Sequence, residues 1–195
     1  MSERRSRVWG GARSRAPLLL SVLMMLLASP ASSEPDPITI RNTVEDCGIQ
    51  GSFTVAVPES IAWEVLTDYD GLDRFVTSLR SSQLERDERG RVVLRQEARA
   101  TFLLLGRTML VRLELEESPS SRIRFRDMSG KDFLHYAGEW RLAPEAGGML
   151  VEYDLSAEPR SGIARMLCRR MLRNTGESLL TQVRAEMLRR ENDSK

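Results

Sequence analysis

From Ile38 onward the chain favours strand, and the stretch GSFTVAV (51–57) sets Phe53, Val55 and Val57 on one side of it. Pro58-Glu59-Ser60 then opens a helix, since proline suits a first turn where its missing N–H has no partner anyway. Ile61, Trp63, Val65 and Leu66 run at helical spacing up to Thr67, and a short second helix is predicted over 71–75. Asp68 and Asp70 stand between the two helices, where capping is the expected role and an acid–base pair the alternative. Beyond Ser81 the period changes to two. Turn-like stretches at 86–91, 105–108, 118–121, 129–131 and 144–148 separate strands predicted over 92–104, 109–117, 122–128, 132–142 and 149–157. Met109, Val111, Leu113 and Leu115 oppose Leu110, Arg112, Glu114 and Glu116, and Ile123 and Phe125 oppose Arg124 and Arg126. That is an antiparallel meander with one wet and one dry face. The final segment, 161–190, returns to helical spacing with Ile163, Leu167, Met171, Leu179, Val183 and Met187 on one face. Asn174 and Glu177 have capping-box spacing, so a kink is expected near Gly176 in an otherwise continuous helix.

Counting faces gives the architecture. About seven antiparallel strands share one apolar face, which two short helices cannot cover. A strongly twisted sheet hides such a face by curling around one long helix, and the chain ends in that helix. The expected fold is α+β: a seven-stranded antiparallel sheet curled around a long C-terminal helix, with two short helices after the first strand. A sizeable cavity is expected between sheet and helix.

The first thirty-three residues stand outside this pattern. Arg4, Arg5, Arg7, Arg13 and Arg15 give a basic start, an uncharged apolar run covers 18–28, and ASPASS follows. This is the three-part layout of a secretory signal peptide. The apolar run rises only about 16 Å as a helix, roughly half a hydrocarbon core. A cleaved signal peptide over 1–33, a folded domain over 34–195 and a secreted or periplasmic product are therefore expected, with an N-terminal membrane anchor as the alternative. Losing that segment's five Arg and one Glu turns the formal charge of +1 into about −3. Such a product lacks the basic face that nucleic-acid binding needs. After export, Cys47 and Cys168 either pair, tying the first strand to the last helix, or remain two buried thiols.

The order of elements and three stretches resemble the START-like, helix-grip superfamily, which includes the birch pollen allergen, polyketide cyclases and coenzyme-Q-binding START-domain proteins. The stretches are FTVAVPESIAWEVLTDYDGLDRFVTSLRSSQL (53–84), FLHYAGEWRL (133–142) and the terminal amphipathic helix. Pro58, Trp63, Leu66, Asp68, Tyr69 and Phe75 fall on the family's first motif, and Gly138 and Trp140 on its late G-x-W. The resemblance covers nearly the whole of 34–195. It implies a seven-stranded sheet gripping the C-terminal helix around a lipophilic pocket, and it leaves the ligand and any reaction open.

Candidate chemistry is sparse. His135 is the single histidine, two distant cysteines do not complete a metal site with it, and no G-x-S-x-G elbow occurs. No metal, cofactor or catalytic residue is therefore expected, and His135 reads as a structural or pocket-edge residue. Gln96 is in phase with Leu94 and Ala98, and Tyr153 with Val151 and Leu155, so both are expected to face inward. The candidate ligand-binding residues are Trp63, Tyr69, Gln96, Phe102, Phe125, Trp140, Tyr153, Leu167 and Met171. The apolar run at 102–105 reads as buried beneath the first helices or as a greasy rim at the pocket mouth. Beside such a rim, Arg165, Arg169, Arg170 and Arg173 would face anionic headgroups in a peripheral membrane contact, or simply form a solvated helix face. The leading expectation is an exported, non-catalytic carrier of a hydrophobic small molecule such as a lipid, quinone or polyketide-like compound. A cyclase- or dehydratase-type enzyme using Tyr153, Gln96 or His135 is the second reading, and a membrane- or protein-interaction module the third.

Overall fold

The stretch from Ile38 onward, read as one strand, forms two. The computed structural model describes residues 37–42, 47–102, 105–160 and 162–195, with side chains other than those at 100–107, 163–167 and 169. In it β1 (Thr39–Asn42) turns back on β2 (Cys47–Val55), with Thr39 opposite Ser52 and Asn42 opposite Ile49. This edge pairing makes the sheet eight-stranded where seven strands were expected. The remaining elements are α1 (Glu59–Thr67), α2 (Leu72–Phe75), β3 (Leu79–Arg86), β4 (Val92–Phe102), β5 (Leu105–Ser118), β6 (Arg122–Asp127), β7 (Phe133–Glu145), β8 (Gly148–Pro159) and α3 (Gly162–Asp193). The predicted signal segment, Leu103 and Leu104 of the apolar run, and the side chains of Phe102, Ile163, Arg165, Leu167 and Arg169 lie outside the described residues.

All neighbouring strands are antiparallel, in the order β1-β2-β8-β7-β6-β5-β4-β3. Strands β3 to β8 form the expected meander, and β2 closes it against β8 with Phe53 opposite Val151. The turn expected at 105–108 is strand instead: Phe102 pairs with Leu105 and Ala100 with Arg107, because the ladder runs on to the end of the hairpin. Alternation places the core as expected. Val111, Leu113, Ile123, Val151 and Leu155 are buried, while Arg112, Arg124 and Arg126 point to solvent. Exposed pairs such as Arg112–Glu85 at 2.9 Å and Arg124–Glu139 at 3.3 Å decorate the wet face, each worth a few tenths of a kcal/mol.

Helix α3 runs unbroken for 32 residues, so Gly176 does not mark a helix start. Its role is close approach. A Cβ at Gly176 would sit 2.2 Å from Ile49 Cδ1, and one at Gly51 would sit 2.4 Å from Leu180 Cδ1. Two glycines, one on the helix and one on β2, let the rod lie directly on that strand. Of the two readings left open for the cysteines, the structure takes the disulfide: Cys47 on β2 is bonded to Cys168 on α3, with 5.6 Å between their Cα atoms.

The far end of α3 is tied to α1 by charge. Arg190 reaches Asp68 at 2.5 Å, Glu64 at 3.0 Å and Glu186 at 2.8 Å, and Arg189 also holds Glu186 at 2.7 Å. Asp70 Oδ1 accepts the Leu84 amide at 2.7 Å. Neither aspartate caps a helix through its side chain, contrary to the sequence expectation. Asp68 follows the end of α1, where free carbonyls rather than amides project, and its carboxylate turns to the arginine instead. The hydrogen bond from Arg189, helped by that from Arg190, holds Glu186 down at about 2 against an ordinary 4.5. A carboxylate depressed on folding contributes stability above its unfolded value and loses it as pH falls toward the folded one. Acid unfolding followed by circular dichroism is expected to show stability declining from about pH 4.5 to pH 2, with Glu186→Gln removing that component of the slope.

Candidate functional site

The sheet and α3 enclose a cavity of about 390 Å³. Its floor is made by the inward residues of the meander: Leu94, Gln96 and Ala98 on β4, Val111 and Leu113 on β5, Ile123 and Phe125 on β6. Leu72 of α2 and Val76 close one side, and Met171, Leu172, Gly176 and Leu179 of α3 form the roof. These positions follow from period two on the strands and helical spacing on α3, so an apolar stripe meets an apolar face. Among the lining residues Arg99 and Thr175 are exposed and Ser78 and Asp132 half-buried, which marks the polar mouth. The Asp132 carboxylate accepts the Leu110 amide at 3.0 Å.

Of the residues singled out from sequence, Tyr69, Gln96, Phe125, Trp140, Tyr153 and Met171 converge on this cavity. Trp63 does not. It is half-buried on α1, packed against the core beside the buried stripe of Ala62, Val65 and Leu66. His135 is exposed and forms no part of the wall described here.

Tyr136 was not expected inside. Alternation puts it opposite Phe133, yet both line the cavity. The reason is a bulge: Phe133 faces Pro159 and His135 faces Glu158, leaving Leu134 as an extra residue, 52% exposed. The inserted residue shifts the phase, and β7 presents Phe133, Tyr136 and Trp140 to one side. The sequence signal was present in the two aromatics three apart, which no regular strand can bury on one face.

Most polar groups in the wall are held by protein partners. The Tyr69 hydroxyl donates to Glu117 Oε1 at 2.6 Å; burial, and then this bond, push its pKa far up. Fully buried Ser82 donates to the Tyr69 carbonyl at 2.7 Å and accepts from Gln96 Nε2 at 3.1 Å. Burial likewise pushes Tyr136 up to about 12 and Tyr153 well above its ordinary value. These phenols are neutral donors at physiological pH, ill suited to act as bases. Among the described residues no group of three or more His, Cys, Asp or Glu is placed to hold a metal ion. No described helix is long and apolar enough to cross a membrane.

A curled antiparallel sheet gripping a terminal helix over an apolar hollow defines a helix-grip protein of the START-like class. The chain belongs to the family described as polyketide cyclase / dehydrase and lipid transport, whose model matches residues 46–190. Members of this family bind hydrophobic small molecules such as lipids or polyketides. Solved structures agree on the fold. A START superfamily protein from Mycobacterium smegmatis is similar with a TM-score of 0.62 and 14% identity, over 73% of this chain and 97% of that one. A STAR-related lipid transfer protein from Xanthomonas axonopodis gives 0.58 and 18%, over 77% and 92%. The Zhui aromatase/cyclase from Streptomyces sp. R1128 gives 0.56 and 18%, over 78% and 96%. No curated protein sequence matches the chain.

Proposed function

We propose that this protein is an exported, non-catalytic binder of a hydrophobic small molecule held between the sheet and α3. The observation that carries this reading is the apolar cavity of about 390 Å³, a size at which small-molecule sites begin to bury most of a ligand. Affinity would come from apolar ligand area removed from water, at roughly 25 cal/mol per Å². The neutral tyrosines and the outward His135 favour binding over acid–base turnover. Export is supported by the signal-like layout of residues 1–33 and by the Cys47–Cys168 bond, since disulfides persist in oxidising compartments.

The test uses the full chain expressed with its own N-terminus. Mass spectrometry of what co-purifies and titration with the fluorescent probe N-phenyl-1-naphthylamine are expected to show one apolar ligand per chain. Ala98→Trp fills part of the cavity from a half-buried position of its floor. It is expected to weaken probe binding by about tenfold or more while leaving the circular dichroism spectrum unchanged. A folded wild-type protein that binds neither probe nor lipid would overturn the reading.

A further inference from the structure

Cations without carboxylate partners gather at the strand ends where the cavity opens. Arg99 lines the mouth and is exposed, and its cross-strand partner Thr108 accepts a hydrogen bond from Arg80 at 3.2 Å. Farther round, the hairpin joining β6 to β7 carries exposed Lys131, while its Asp132 and Phe133 line the cavity. Arg160, just past β8, donates to the Gly130 carbonyl of that hairpin at 2.6 Å. Among the described residues none of these four cations forms an ion pair, whereas Arg112, Arg124 and Arg126 on the wet face each hold a glutamate. Two nearby carboxylates are engaged by the protein itself: Asp132 accepts the Leu110 amide at 3.0 Å, and Asp127 the Arg112 and Ser129 amides at 2.9 and 3.0 Å. Exposed Glu158, opposite His135, offsets one of the four charges. The same hairpin also shows two large apolar side chains to solvent. Met128 is 38% exposed, and Leu134 is 52% exposed because the bulge turns it outward. A soluble polyanion would meet the cations and leave these two in water. A lipid surface takes both, with headgroups against the cations and the acyl boundary against the apolar side chains.

We propose that the β6–β7 hairpin, together with Arg80, Arg99 and Arg160, is a docking surface for an anionic bilayer, with Met128 and Leu134 entering the headgroup layer. Without residues 1–33 the chain carries a formal charge of about −3, so an anionic surface repels most of it. The cluster of cations is the end such a surface attracts, and the field orients the molecule before contact. Each cation near the headgroups improves partitioning about fivefold, over a range of about 8–10 Å at ordinary salt. Exposed Arg170 and Arg173 stand off the stripe of α3 that roofs the cavity, so the hairpin and not the helix carries this surface. The inference goes beyond the binding function proposed above and does not rest on it, because outward residues define the surface whatever the cavity holds.

The experiment measures co-sedimentation of the full chain with phosphatidylcholine vesicles, with and without about one quarter phosphatidylglycerol. Residues 1–33 are the same in every variant, so differences between variants report the docking surface. The wild type is expected to bind the anionic vesicles at least about tenfold more tightly, and to lose that preference as salt rises from about 0.05 to 0.5 M. Arg80→Gln/Lys131→Gln, which touches no lining residue, is expected to weaken binding to anionic vesicles about 25-fold. Removing the same two charges from the wet face, in Arg124→Gln/Arg141→Gln, is expected to change it by no more than about twofold. Leu134→Ser is expected to weaken it about three- to fivefold. Equal binding to both vesicles overturns the proposal, as does an equal loss from the two double variants. If Leu134→Ser binds as the wild type does and soluble dextran sulfate is held as tightly as vesicles, the surface serves a polyanion and the lipid assignment falls. Titration of the same preparations with N-phenyl-1-naphthylamine reads the cavity separately, so failure of either proposal is seen without the other.

Discussion

Alanine at position 138 is expected to lower the melting temperature by about 6–12 °C, corresponding to roughly 3 kcal/mol for a domain of this size. A Cβ built there meets the Asp154 carbonyl oxygen at 2.2 Å and Phe125 Cζ at 2.6 Å. The first of these is main chain of β8, the strand that pairs with β7 through Gly138 and Leu155. It cannot swing aside as a side chain would. The second belongs to the ring that lies over Gly138 from the neighbouring strand, where the two residues are directly opposed. Any methyl at 138 therefore either parts β7 from β8 or turns Phe125 out of the aromatic wall, and the cavity changes shape in both cases. Gly162→Ala is the control, since a Cβ at the start of α3 meets nothing within 4 Å. Thermal melts of the two variants check the argument. A Gly138→Ala protein melting with the wild type would show that the crowding relaxes freely and that the glycine has no structural role.

Residues whose neighbours lie on the same strand or helix could be placed from sequence, whereas those fixed by distant partners could not. Met109 to Leu115 and Ile123 to Phe125 were legible because charged residues occupy the alternate positions and leave one face to bury. The stripe of α3 was legible for the same reason. Tyr136 was not, because a bulge at Leu134 is decided by how β7 meets β8, not by β7 alone. Trp63 was misplaced because it stands one residue, about 100° of helix rotation, from Ala62 and falls beside the buried stripe. Asp68 was assigned a local cap, but its partner Arg190 is 122 residues away. Gly176 was read as the site of a kink in a continuous helix, while its purpose is set by Ile49 on another element. The candidate site was thus readable wherever period two or helical spacing held, and Tyr136 was missed where period two failed.

Removing the Cys47–Cys168 bond is expected to cost more stability than any single side-chain truncation in this chain. The bonded residues are separated by 121 positions, and in the chain-entropy account a loop of that order constrains the unfolded state by about 4–5 kcal/mol. The position of the bond explains why it matters here. Cys168 is itself part of the cavity wall, one turn from Met171 and Leu172, so this stretch of α3 lies over space and not over packed sheet side chains. A helix resting on a hollow forgoes the dispersion contacts that hold it farther along, where Leu180 and Met187 are fully buried. The covalent tie to β2 offsets that loss and fixes the height of the roof. Cys47→Ala/Cys168→Ala is therefore expected to melt about 10 °C or more below the wild type and to release a cavity probe faster, the second effect exceeding what the stability loss alone produces at 25 °C. Because Cys168 is only 1% exposed, the comparison is made between variants and not by adding reductant to the folded protein. A double variant of unchanged melting temperature would mean the bond is incidental to the grip, and unchanged release in a destabilised variant would separate the roof from the tie.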